Sequence, residues 1–229
     1  MQPVEGRGRL FLLRHGETDW NRARRVMGHR PIPLNDLGRQ QIEDLAPHLR
    51  GLGVVSIVSS PMVRARETAE IVSKALGGVA VEEDAGLAEV GYAGWEGKTF
   101  PELIEDPIYN EFHRDPLGTA PPGGGETLLQ VRERVFSAAT RALGAAGPCL
   151  LVSHGDPLRL LLAACLAIAP EDFRRVRIDN GGLSAIDFSG SWSEAKFVNM
   201  RPDLDRMLDA ELDGARAVRE RAAGNGETE

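Results

Sequence analysis

The chain is constrained most by two apolar runs that end in the same way. Leu10-Phe11-Leu12-Leu13 stops at Arg14-His15-Gly16, and Cys149-Leu150-Leu151-Val152-Ser153 stops at His154-Gly155. A short apolar run closed by turn residues reads as a strand buried on both faces, the kind found in parallel sheets covered by helices. Open α/β folds place their ligands outside the carboxyl ends of such strands. Two strands therefore bring His15 and His154, with Arg14, to one edge. Glycine lets the backbone turn sharply there, and Thr18 and Asn21 add short polar groups within reach of an anion.

The segments between these runs set the fold class. Further strands are predicted over residues 54–59, 79–83, 183–188 and 195–199, with the first over 9–14. Helices alternate with them. Asn35 is placed to cap a helix that stops at Gly51, and Ser60-Pro61 offers a capping hydroxyl followed by proline at a first helical position, with Arg64 in the first turn. Short helices broken at Pro107 fill residues 99–114. A striped helix covers 128–143, and Asp156-Pro157 opens another through Leu158 to Ala167. Residues 16–34, with Gly28, Pro31 and Pro33, read as a long loop over the strand end. Strands alternating with helices imply a layered α/β sandwich. With no repeat and no long linker, a single domain is expected over 1–229, its core spanning about 9–200. A polar helix over 203–223 carries Leu204, Met207, Leu208 and Leu212 on one side, a stripe that packs on the domain or supports a homodimer.

Composition narrows the function. A net charge of −7 removes the overall positive field that a general nucleic-acid or membrane-surface binder needs. Any anion site is therefore local. The longest apolar stretch, around Leu160 to Ala169, is too short to span a bilayer. Cys149 and Cys165 lie in apolar segments, a core pattern that fits a reducing compartment, so a cytoplasmic chain is expected. His15, His29, His48, His113, His154 and the two cysteines show no close ligand spacing, which disfavours a zinc site.

The remaining pattern suits phosphate chemistry. A phosphate ester is an anion, so its attacker works best neutral, with cations around the phosphoryl oxygens. A neutral imidazole can form a covalent phosphohistidine and split one hard hydrolysis into two easier steps. Arg14 and Arg64 can fork onto phosphoryl oxygens, and His154 can donate one more hydrogen bond. Glu89 can protonate a leaving alkoxide and then serve as base toward water, while Glu17, Glu96 and Glu126 compete as nearby carboxylates. The loop from Asn21 to Pro31 carries Arg22, Arg24, Arg25, His29 and Arg30. These cations either meet a second anionic group on the substrate or are solvated and paired with acids such as Glu17.

At this point the chain resembles the histidine phosphatase superfamily, which includes the cofactor-dependent phosphoglycerate mutases. The resemblance runs from about residue 10 to 188. It rests on Leu-Leu-Arg14-His15-Gly16-Glu17-Thr18 with Trp20-Asn21, Pro33-Leu34, Leu37-Gly38 and Ser59-Ser60-Pro61 with Arg64 and Glu67-Thr68-Ala69. It continues through Leu87-Ala88-Glu89, Gly94-Trp95-Glu96-Gly97, Gly125-Glu126 and Val152-Ser153-His154-Gly155. The resemblance implies a three-layer α/β/α sandwich with a central, mostly parallel sheet, His15 as phosphoryl acceptor, Arg14, Arg64 and His154 as the phosphate pocket, Glu89 as acid/base, and no metal or organic cofactor. Thr18, Asn21 and Gly155 complete the expected substrate-binding set. Met27 and Pro31 stand where the family commonly has Gln and Asp. Asn180-Gly181-Gly182-Leu183-Ser184 replaces the Pro-Thr-Gly turn of the mutase branch, which favours a phosphatase of small phosphate monoesters. A phosphoglycerate mutase and a non-catalytic phospho-ligand binding module are the alternatives.

Overall fold

A computed structural model describes residues 4–203. The C-terminal helix expected over 203–223, with its apolar stripe, falls almost wholly outside the described residues. In chain order the elements are β1 (Gly6–Arg14), α1 (Asp19–Arg22), α2 (Asp36–Leu49), β2 (Ser56–Ser59), α3 (Val63–Ala75) and β3 (Val81–Glu83). There follow α4 (Phe100–Ile104), α5 (Pro107–Arg114), α6 (Leu128–Ala142), β4 (Cys149–Ser153), α7 (Gly155–Cys165), β5 (Leu183–Gly190) and β6 (Trp192–Met200). The six strands form one sheet in the order β3-β2-β4-β1-β5-β6. The first four of these pair in parallel, while β5 and β6 add an antiparallel hairpin at one edge.

The period of two in the apolar runs explains the layers. Leu10 and Leu12 of β1, with Cys149 and Leu151 of β4, pack into the core formed with α6 and α7. Phe11 and Leu13, with Leu150 and Val152, pack on the opposite face against α2 and α3. Each fully buried Leu or Phe contributes roughly 1.5–3 kcal/mol, so both central strands are fixed in register by two cores at once. A third cluster joins Trp95, Tyr109 and Phe112 to Leu128 and Val131 of α6, placing α4 and α5 as a cap beside the sheet. Trp95 meets Tyr109 and Phe112 edge-on, each with ring centroids 5.4 Å apart.

Where the turn leaves β1 it crosses the start of α2 at backbone contact. A Cβ on Gly16 would lie 2.3 Å from the Gly38 carbonyl oxygen, and one on Gly38 would lie 2.0 Å from the Glu17 carbonyl oxygen. Glycine is required on both sides of this crossing. Asn35 caps α2 as expected, its side chain accepting from the Gly38 N–H at 2.8 Å.

Three local expectations are corrected. The helix after β2 starts at Val63 with Met62 at the cap position, not at Ser60-Pro61, because the Ser60 N–H is still bound to the Val152 carbonyl in the sheet and the chain cannot yet turn. The helix after β4 starts at Gly155 with His154 at its cap and ends at Cys165, so Asp156 lies inside the first turn and does not cap it. The loop over the strand end contains α1, where Thr18 and Asn21 form a reciprocal cap. Among the described residues no helix is long and apolar enough to cross a membrane.

Candidate active site

Three neighbouring parallel strands end at the site. β1 supplies Arg14 and leads into His15, β4 leads into His154, and β2 leads through Ser60 to Arg64 in the first turn of α3. The His15 N–H donates to the Ser153 carbonyl at 3.0 Å, and the Arg14 N–H to the Gly182 carbonyl at 3.2 Å, so the sheet still holds the backbone where the chemistry begins.

His15 is fully buried, and its hydrogen bonds fix its tautomer. Nδ1 lies 2.7 Å from the Gly16 carbonyl oxygen, which can only accept, so Nδ1 carries the proton. Nε2 then keeps a lone pair, toward which Arg64 Nε–H donates at 3.3 Å. Burial, followed by the positive charges of Arg64 and Arg14, holds the imidazole well below its ordinary pKa. It is a neutral, oriented nucleophile at physiological pH.

Cations and donors surround it. Burial lowers Arg14 to about 10, still protonated at neutral pH, and its Nη1 donates to the Ile178 carbonyl at 2.8 Å. Arg64 is buried and donates to the carbonyls of Gly28 at 2.9 Å and Arg30 at 3.2 Å. The His154 ring centroid lies 5.1 Å from that of His15. Its Nε2 is 2.7 Å from Ser60 Oγ, whose acceptor capacity is partly used by the Met62 N–H. This bond fixes the ring and leaves Nδ1 of His154 to the site. Nδ1 of His154 and Nε of Arg14 are buried nitrogens without a protein partner, a pair of polar atoms beside the nucleophile suited to phosphoryl oxygens.

Geometry separates Glu89 from its competitors. Glu17 pairs with Arg22 at 3.0 Å, Glu96 with Arg30 at 3.0 Å and Glu126 with Arg134 at 2.9 Å. The Glu89 carboxylate accepts from the Val90 N–H at 3.0 Å and lines the cavity beside Arg14. Burial and the negative charge of Asp156 raise its pKa, outweighing the pull of Arg64, the Val90 N–H and Arg14. Its backbone is clamped. Arg134 donates to the carbonyls of Gly86 at 3.0 Å, Ala88 at 2.6 Å and Glu89 at 2.8 Å, while its partner Glu126 accepts from the Gly91 N–H at 2.8 Å. His29 Nε2 also lies 2.8 Å from the Glu89 carbonyl.

A cavity of about 280 Å³ opens beside these groups, lined by Arg14, Asn21, Glu89 and Gly155 among others. Thr18, expected to reach the anion, instead accepts from the Asn21 N–H at 3.1 Å and positions that side chain. Of the loop arginines, Arg22 is paired with Glu17 and Arg30 with Glu96, and Arg24 and Arg25 line the cavity. Sequence reasoning did not single out Asn180, whose Nδ2 lies 3.1 Å from the His15 carbonyl and 3.2 Å from Asn21 Oδ1, nor Arg134 or Asp156. Asn180 carried a signal only as part of an Asn-Gly-Gly turn. Arg134 carried none, since an arginine on an amphipathic helix reads as solvated. A larger groove of about 460 Å³, bordered by Val4, Phe136, Ile168 and Phe188, contains none of the expected site residues. No cluster of three or more His, Cys, Asp or Glu side chains suited to a metal occurs among the described residues.

Residues 10–201 match the model of a family described as the histidine phosphatase superfamily, branch 1. The protein named probable phosphoglycerate mutase GpmB of Klebsiella pneumoniae is 34% identical over 188 residues, covering 80% of this chain and 86% of its own length. Among solved structures, the alpha-ribazole phosphatase of Shigella flexneri superposes with a TM-score of 0.76 at 29% identity, over 84% of this chain and 96% of its own. The phosphoserine phosphatase of Entamoeba histolytica, solved in complex with 3-phosphoglyceric acid, gives a TM-score of 0.76 at 26% identity, over 85% of this chain and 98% of its own.

Proposed function

Because the chain belongs to the histidine phosphatase superfamily, we propose that it hydrolyses small phosphate monoesters through a phosphohistidine on Nε2 of His15. The observation that carries this reading is the pinned tautomer: Nδ1–H on the Gly16 carbonyl leaves Nε2 as a neutral lone pair among cations. Nε2 attacks phosphorus, the phosphorus–oxygen ester bond breaks, and the departing oxygen takes the proton of Glu89 and leaves as an alcohol. The Glu89 carboxylate then removes a proton from water as that oxygen attacks phosphorus. The nitrogen–phosphorus bond breaks, its electron pair returns to Nε2, and inorganic phosphate remains. Arg14, Arg64 and His154, with Asn21 and the N-terminus of α7 at Gly155, hold the phosphoryl oxygens throughout.

The match over residues 10–201 supports reading the chain as a single domain. The free thiols of Cys149 and Cys165 support a cytoplasmic location. The phosphatases among the structural neighbours, together with the Asn180-Gly181-Gly182 turn, support hydrolysis over mutase transfer. Protein quenched during turnover of an aryl phosphate is expected to carry alkali-stable, acid-labile phosphate on His15. Phosphate that survives acid on a serine would overturn the assignment. Conversion of 3-phosphoglycerate to 2-phosphoglycerate, with 2,3-bisphosphoglycerate present and little release of phosphate, would replace hydrolase by mutase.

The charge environment also predicts a pH dependence. His15 is shifted down, so the nucleophile stays neutral as pH falls below the ordinary histidine range. Glu89 is shifted up, so its acid form persists above the ordinary carboxylic range and is lost as pH rises through that raised value. For esters with poor leaving groups, kcat/KM should therefore fall as pH rises through the Glu89 titration, while esters with good leaving groups show little change. Glu89→Gln should slow the poor leaving groups by about 10²-fold or more, the usual scale of general acid catalysis, and the good ones by much less. Equal losses on both would make Glu89 structural.

A further inference from the structure

One side chain outside the phosphate pocket ties the nucleophile's turn to the loop that follows it. Asn180 is half-buried in the turn leading into β5 and lines the cavity wall. Its Nδ2 lies 3.1 Å from the His15 carbonyl oxygen, 3.3 Å from the Gly16 carbonyl oxygen and 3.2 Å from Oδ1 of Asn21. Backbone carbonyls can only accept, so the group facing them is the amide NH2, and its two hydrogens serve three oxygens. The turn that carries it is pinned on both sides. The Gly181 N–H donates to the Arg14 and His15 carbonyls at 3.1 Å and 3.2 Å, and Oδ1 of Asn199 on β6 accepts from the Asp179 N–H at 2.8 Å.

Asn21 shows what this donor decides. Its Oδ1 also accepts from the Thr18 N–H at 3.1 Å, and since that group can only donate, the oxygen is assigned to the inner side of the amide. The Thr18 hydroxyl reaches the same oxygen at 3.0 Å. Three donors on one oxygen leave the Nδ2 of Asn21 to the cavity that this residue lines. Turned over, the amide would present its oxygen to the phosphoryl oxygens and repel them. The two backbone carbonyls thus anchor the Asn180 amide, and Asn180 passes that orientation on to Asn21.

We infer that Asn180 is a positioning residue of the phosphoryl-transfer step, acting through Asn21 by holding its NH2 toward the phosphoryl oxygens. The inference rests on the phosphatase reading, which directs the reacting phosphate to His15. Arg14 and Arg64 hold a ground-state phosphate with or without Asn180. The aimed amide matters as charge redistributes over the phosphoryl oxygens, so its loss falls on kcat and on transition-state-like anions more than on KM.

The test uses three substitutions and two inorganic probes. Asn180→Ala removes the amide, Asn180→Asp keeps its shape but replaces its donors by acceptors, and Asn21→Ala removes the group it orients. On p-nitrophenyl phosphate, Asn180→Ala and Asn180→Asp should each lower kcat about tenfold or more, the scale of one lost hydrogen bond to a charged group, with KM little changed. Orthovanadate, which becomes five-coordinate on a histidine nitrogen, should lose affinity by a similar factor while inorganic phosphate loses little. Protein carrying both Asn21→Ala and Asn180→Ala should be about as active as Asn21→Ala alone, because residues that act through one another are not additive. Should one Asn180 variant fail to fold, the other carries the test. Near-normal kcat in Asn180→Asp would overturn the inference, as would equal losses for vanadate and phosphate, or losses that multiply in the double variant. Hydrolysis by the unaltered protein reads the phosphatase assignment separately. Vanadate affinity that depends on Asn180 without any hydrolysis would sink that assignment and leave the orienting role standing, and hydrolysis indifferent to Asn180 would do the reverse.

Discussion

His15→Ala is expected to abolish turnover of a generic aryl phosphate, lowering kcat by on the order of 10⁵-fold or more, the scale seen when the nucleophile of a covalent mechanism is removed. Nothing near it can take over. His154 is held on Ser60 by its Nε2, and burial with the charges of Arg64, His15, Arg14 and Arg134 holds its own pKa well down. Arg14 and Arg64 would remain, so phosphate esters should still bind while no phosphoenzyme forms. Steady-state rates with an acid-quench assay for bound phosphate check both halves. Retention of more than a few per cent of activity would show that another group attacks.

The second large effect is expected at a residue that touches no substrate. In an exposed helix, Gly→Ala stabilises by roughly 0.5–1 kcal/mol, so helix propensity alone predicts that Gly38→Ala in α2 strengthens the protein. The contact predicts the opposite. The new Cβ would sit 2.0 Å from the Glu17 carbonyl oxygen and 2.6 Å from the Glu17 nitrogen, backbone atoms that cannot swing aside. Overpacking of this kind costs about 1–3 kcal/mol and here outweighs the propensity gain. A net loss of about 2 kcal/mol lowers Tm by roughly 4–8 °C in a protein of this size. The turn that moves also carries His15, and a displacement near 1 Å at the nucleophile costs about 10²-fold in rate. Thermal unfolding and kcat/KM of Gly38→Ala measure the two effects. An unchanged or raised Tm would mean that the crossing yields more easily than its geometry indicates.

The sequence was most legible where one force acted alone. Leu10–Leu13 and Leu150–Val152 are apolar on both faces of a strand, and no other element satisfies them, so β1 and β4 fell where expected. His15, His154, Arg14 and Arg64 were legible for the same reason, since each directly follows or belongs to an element whose end was marked. Helix starts were less so. Ser60-Pro61 carries a favourable local capping signal, but the Ser60 N–H is bound in the sheet and its hydroxyl serves His154, a residue 94 positions away. The same holds for Thr18, whose role as a cap depended on recognising a four-residue helix. What the sequence hid entirely were contacts between distant segments, such as Arg134 bridging α6 to the Glu89 backbone. The sharing of the Asp156 carboxylate by Arg159, Arg174 and the Tyr92 hydroxyl likewise exists only after α7, the following turn and the cap have been brought together.

Arg64 ties the nucleophile to the loop above it. One of its N–H groups reaches the nucleophilic nitrogen of His15, while two others hold the carbonyls of Gly28 and Arg30 in the loop over the strand ends. A phosphoryl group that draws the guanidinium toward itself therefore pulls on the loop as well. Linkage requires the coupling to be equal in both directions: whatever free energy a bound phosphate adds to loop closure, loop closure adds to phosphate affinity. Product phosphate and the covering loop are then expected to leave together, and mutations far out on the loop, around Arg30 and its partner Glu96, should register as changes in the release of inorganic phosphate before they register in the bond-breaking step.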